Sequence, residues 1–99
     1  MTAKKVKWSI QAQKQYLEAL DYIFNDSVQN AENFEAKLHN KLQKVLIFPE
    51  SAPPDKFKIN NNGSYRAFNL DRYIVSYEIV NGGIKILRVR HSSMRPKYH

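Results

Sequence analysis

One change of rhythm divides this chain. From Ala12 to Val45 the apolar residues recur every three or four positions, the spacing of helices that bury one face. From Tyr65 onward they alternate, the spacing of strands whose successive side chains point to opposite sides. Between the two regimes lies Pro49-Glu50-Ser51-Ala52-Pro53-Pro54, whose three prolines lack the N–H a helix or sheet would need. A chain of 99 residues has room for one core, so its helices and strands must share it. The pattern predicts a two-layer α+β domain.

The elements follow in order. Lys4, Val6 and Trp8 alternate with Lys5, Lys7 and Ser9, as in a half-buried strand. Ser9 can then cap a helix whose stripe is Ala12, Tyr16, Ala19, Leu20 and Ile23. Asn25-Asp26-Ser27 interrupts it. A second helix, capped at Ser27 or Asn30, carries Ala31, Phe34, Leu38, Leu42 and Val45 on one face and ends by Phe48. Phe57–Ile59 is a short strand candidate, followed by a turn at Asn60-Asn61-Asn62-Gly63. The clearest strands are Tyr65–Leu70, Arg72–Val80 and Ile84–His91, reversing at Asp71 and at Asn81-Gly82-Gly83. The expected fold is an N-terminal strand, a helical hairpin, then an antiparallel sheet of three to four strands (β-α-α-β-β-β). A single domain over residues 1–91 is expected, with a basic tail over 92–99.

Composition removes several chemistries. The chain has no cysteine, hence no disulfide, thiolate zinc site or cysteine nucleophile. Its longest aliphatic or aromatic run is Val45-Leu46-Ile47-Phe48, too short for a membrane span or a signal-peptide core, so a cytoplasmic protein is expected. His39, His91 and His99 make a poor metal set, and no metal is expected. Gly63, Gly82 and Gly83 read as turns and not as a phosphate loop, so no cofactor is expected either. Ser92 and Ser93 beside His91 lack the elbow motif of a hydrolase.

The charge says more. Sixteen basic residues face nine acidic ones, for a net +7. Residues 1–50 account for +1 of this, and residues 51–99, with every arginine, for +6. Arginine binds phosphate and carboxylate through a planar fork, so this segregation points to a working face built from the second half and aimed at a polyanion or an acidic partner.

Simple alternation sorts the strands. Tyr73, Val75, Tyr77 and Ile79 project one way, and Ile74, Ser76, Glu78 and Val80 the other. On the last strand it groups Ile84, Ile86, Arg88 and Arg90 against Lys85, Leu87, Val89 and His91. Arg88 and Arg90 would then hold one anion together, or pair across the sheet with Glu78 or Asp71. Tyr65, Phe68, Tyr73 and Tyr77, interleaved with Arg66 and Arg72, suit base stacking, but a helical hairpin must cover one face and core packing is the better use.

These pieces together resemble the RelE/ParE toxin superfamily, which includes plasmid-stabilisation proteins. The resemblance runs from Lys7-Trp8-Ser9, Ala12 to Leu17 and Asp21-Tyr22-Ile23, through Phe48-Pro49 and Tyr65-Arg66. It continues in Tyr73-Ile74-Val75-Ser76-Tyr77-Glu78, then Ile84-Lys85-Ile86-Leu87-Arg88-Val89-Arg90-His91, with Arg95-Pro96 behind. It implies the toxin of a type II toxin–antitoxin pair, wrapped by a cognate antitoxin with an acidic or amphipathic segment. The superfamily splits by target. ParE-like members poison DNA gyrase, whereas RelE-like members cut messenger RNA on the ribosome without a metal. Ile74 stands where RelE-like nucleases often carry arginine, and the Arg-Val-Arg-His run with Arg95 looks closer to the ParE side. On that reading Arg90, His91, Arg95 and Lys97 contact the target. On the nuclease reading the candidates are His91 as general base, with Arg66, Arg88, Arg90, Lys56, Lys58 and Tyr98. A basic binding module without toxicity is the third reading.

Overall fold

Ser9 joins the first strand to the first helix and ties both to the far end of the sequence. Its backbone is extended, and its Oγ accepts the Ala12 N–H at 3.0 Å, satisfying one of the unpaired donors of a helix start. The same hydroxyl donates to the Leu87 carbonyl at 3.0 Å. In the computed structural model, which describes residues 4–93, Ser9 lies between strand β1 (Lys5–Trp8) and helix α1 (Ile10–Asp26). Helix α2 (Val28–Ile47) follows after one residue. That residue, Ser27, ends α1 with its N–H on the Ile23 carbonyl and starts α2 by accepting the Asn30 N–H at 3.1 Å. Of the two caps expected for α2, Ser27 is the one used.

A single 3-10 turn at Pro49–Ser51 leads to β2 (Tyr65–Leu70), β3 (Tyr73–Val80) and β4 (Gly83–His91), completing the expected β-α-α-β-β-β order. The sheet order is β1-β4-β3-β2. β2, β3 and β4 are antiparallel, as expected, while β1 runs parallel to β4. Parallel neighbours need a long connection, here the helical hairpin and two strands. Phe57–Ile59, a strand candidate in sequence, is a turn instead. Prolines cannot sustain a ladder, so the segment makes one bridge beside β2, Pro54 to Arg66, and then folds away. Asp55 fixes the departure, its carboxylate accepting the Phe57 N–H at 3.0 Å.

Both helices pack on one sheet face. Ala12 and Ala19 of α1 and all five stripe residues of α2 are buried there. They meet Tyr73, Val75 and Tyr77 of β3 and Ile84, Ile86 and Val89 of β4. The Phe34 ring lies edge-on to Tyr73 at 5.2 Å and stacks on Tyr16 at 6.5 Å. Buried Tyr77 donates its hydroxyl to the Pro49 carbonyl, anchoring the end of the hairpin to the sheet. The strand aromatics Phe68, Tyr73 and Tyr77 thus serve the core.

Burial is the main reason that Tyr16, Tyr73 and Tyr77 are harder to ionise than free tyrosine, all three pKa values being raised. The folded state therefore holds these protons more tightly than the unfolded chain does. This stabilisation is present below pH ~10 and is lost as pH rises through the raised values. Urea midpoints should hold steady from neutral pH to about 9 and fall above about 10. Tyr77→Phe should soften that fall, as measured by tyrosine absorbance alongside circular dichroism.

Simple alternation fails in the middle of β4. Tyr77 pairs with Ile86 but Ser76 pairs with Arg88, so Leu87 is an extra residue, a β-bulge. Such an insertion turns everything after it to the other side of the sheet. Ile84, Ile86 and Val89 share the helix-covered face, while Arg88 and Arg90 lie on the open face with Lys85. The grouping of Arg88 and Arg90 with Ile84 and Ile86 is thereby corrected. The groups the bulge frees are met from α1 and its cap: Ser9 takes the Leu87 carbonyl, and the Gln15 side-chain oxygen accepts the Val89 N–H at 2.8 Å.

Candidate target-binding face

The open side of the sheet is built by the same alternation that fills the core. With Val6 and Trp8 turned to the helices, Lys5 and Lys7 fall on the open side, and the register sets Lys7 beside Lys85. The bulge then adds Arg88 and Arg90 further along β4. Five cations from two adjacent strands therefore share one face, against the single strand carboxylate Glu78, which is opposite Lys85. Lys5 and Lys7 were missed as site residues in sequence because the first half carries little net charge. Only the pairing of β1 with β4 shows that they extend the arginine row.

Neither carboxylate considered as a cross-strand partner lies opposite an arginine. Arg88 faces Ser76 and Arg90 faces Ile74, while Asp71 pairs with Lys37 at 3.1 Å. The Arg90 guanidinium lies over the Phe57 ring at 5.4 Å, and the Lys56 ammonium approaches the same ring at 5.2 Å. The turn after Pro54 thus forms one wall of a groove of about 600 Å³, with Ile74, Ser76, Arg88 and Arg90 on the sheet side. Lys58 lies over the Tyr65 ring at 4.5 Å. Tyr65 is opposite Glu78, whose negative charge is the main reason its hydroxyl is harder to ionise. The face offers planar and point cations beside aromatic rings, which suits a carboxylate- or phosphate-bearing surface.

The nuclease candidates divide between two places: Lys56, Arg88 and Arg90 line the groove, whereas Arg66 and His91 lie on the helix side. Arg66 is on the helix side, opposite Tyr77, and its guanidinium is engaged with backbone. It donates to the carbonyls of Gly63 at 2.9 Å, Ala52 at 3.0 Å and Glu50 at 3.4 Å, holding the chain around the β2 edge. His91 is paired with Tyr73 on the helix side, its ring edge-on at 5.1 Å, in a separate depression with Tyr22, Phe34 and Arg72. Its Nδ1 accepts the Ser93 N–H at 3.1 Å and lies 2.7 Å from the Ser93 hydroxyl. Arg95, Lys97 and Tyr98 lie outside the described residues. Among the described residues no three of His, Cys, Asp and Glu cluster as metal ligands. No helix among them is long and apolar enough to cross a membrane.

A sequence model for the ParE toxin of the type II toxin–antitoxin system parDE matches residues 6–96. The chain belongs to the ParE toxin family. Among solved structures it is similar to a chain of the chromosomal ParDE toxin–antitoxin system of P. aeruginosa. The two share 14% identity at a TM-score of 0.66, over 89% of this chain and 95% of that one. At that identity the likeness is one of fold. No curated protein sequence matches the chain. The ParE match covers the whole basic row, from Lys7 to Arg90, apart from Lys5.

Proposed function

We propose that this ParE-family chain arrests growth by binding and poisoning DNA gyrase, and that a cognate antitoxin neutralises it. The carrying observation is the row of Lys5, Lys7, Lys85, Arg88 and Arg90 on a sheet face without helices, in a chain that matches the ParE model. Such a face supplies binding energy and electrostatic steering and needs no bond-making group. Arg66 and His91, the general-base candidate, lie on the helix side while Arg88 lies on the open face, which favours this reading over the ribonuclease one. Of the residues assigned to the target from sequence, Arg90 lies on this face, and His91 stands at the same strand end on the other side. The antitoxin is an acidic segment that folds on contact, laying carboxylates along the cations and apolar residues against Phe57 and Ile74.

A supercoiling assay with purified gyrase tests this. Added protein should reduce supercoiling and accumulate linear, gyrase-linked DNA, while a defined messenger RNA in a translating extract keeps its 5′ ends. New 5′ ends that require ribosomes, with gyrase unaffected, would replace this reading with the nuclease one.

A further inference from the structure

Helix α1 carries two apolar stripes, and the core uses one. Ala12 and Ala19 are buried, with Tyr16, Leu20 and Ile23 packed against the core. Ile10, Leu17 and Phe24 are 86%, 64% and 54% exposed. Residues seven apart drift only about 20° around a helix, so these three form a straight line on the outer side, roughly opposite Ala12 and Ala19. Val28, the first residue of α2, extends the exposed apolar surface past Phe24.

We propose that this line is a self-association surface, on which α1 of a second copy packs antiparallel about a two-fold axis through Leu17. In that arrangement Leu17 meets Leu17, and Ile10 of each copy meets Phe24 of the other. Leu17 is equidistant in sequence from both, so one register pairs all three. The flanking charges agree with it. Lys14 and Asp21 lie on the same side of the stripe, and antiparallel helices set like flanks against each other. Lys14 of one copy therefore comes beside Asp21 of its partner, twice.

Charge also argues for a second copy over an acidic partner here. Within a chain of net +7, α1 has one lysine, Lys14, against Glu18, Asp21 and Asp26. An acidic segment is repelled by this helix and attracted to the open sheet face on the other side of the molecule. Pairing through α1 also keeps the two basic faces apart and turned outward. A helix of 17 residues is roughly 25 Å long, so the contact is modest and association in the tens of micromolar range, roughly, is expected.

Sedimentation velocity on the full chain, from about 1 to 300 μM, tests this. A concentration-dependent dimer is expected, abolished by Leu17→Glu, whose circular dichroism and melting should match the parent because the side chain is already exposed. Lys14→Asp should weaken the dimer about tenfold, and adding Asp21→Lys should restore it. A monomer throughout the range overturns the proposal. So does a dimer that survives Leu17→Glu, or a charge swap that fails to rescue. A monomer whose Leu17→Glu variant also loses antitoxin binding gives the face to the antitoxin, and overturns it equally.

Discussion

Gly83→Ala is expected to strip β1 from the sheet and cost about 3–5 kcal/mol, a large part of the roughly 5–15 kcal/mol that holds a domain of this size. Two causes add. Gly83 has φ +148, a region closed to residues with a Cβ, and a Cβ there would come within 1.9 Å of the Lys5 carbonyl oxygen and 2.8 Å of the Lys5 nitrogen. Both are backbone atoms, so no rotamer change relieves the clash and the strand itself must move. With β1 go its ladder to β4, the Lys5 N–H bond to the Gly82 carbonyl, and the cover that Val6 and Trp8 give the core. Gly82→Ala is the control. Its φ is +81 but nothing lies within 4 Å, so only backbone strain of about 1 kcal/mol is expected. Urea unfolding should separate the two variants clearly. Equal midpoints would mean that β1 does not lie against Gly83 as described.

The helical half was legible in sequence because each helix buries one unbroken stripe and starts at a serine cap. Ala31, Phe34, Leu38, Leu42 and Val45 are all buried, and Ser9 caps α1 with its side chain. The turns at Asp71, φ 53, and at Gly82 and Gly83 were legible for the same local reason, being residues that tolerate positive φ. What failed was non-local. Nothing in Ile84–His91 announces that Leu87 is the extra residue. The bulge lies just past the last β1 pairing, Trp8 with Ile86, and Ser9 at the start of α1 and Gln15 within it satisfy the bonds left over. One inserted residue was enough to misplace Arg88 and Arg90 relative to His91, and with them the candidate site. Lys5 and Lys7 were hidden similarly, since only the parallel register to β4 puts them in the arginine row.

Reversing that row gives the sharpest functional test. Arg88→Glu combined with Arg90→Glu is expected to raise the protein needed for half-inhibition of gyrase about 30–100-fold, the equivalent of roughly 2–3 kcal/mol, because a like charge then faces the target where an opposite one did. The fold should persist, since both side chains are only partly buried on the face without helices. Arg88→Glu alone should account for much of the effect, since Arg88 has no ion pair among the described residues to lose. Lys44→Glu, the same charge change as Arg88→Glu alone but on exposed α2, controls for net charge in the single variant and should shift the value by less than about threefold. His91→Ala should do less than the double reversal, because its ring packs on Tyr73 on the helix side. The parent's potency should also fall with added salt, and the reversed variant's dependence should be shallower. If the reversed variant inhibits like its parent while His91→Ala fails, the target docks against the helices and the open face serves another partner.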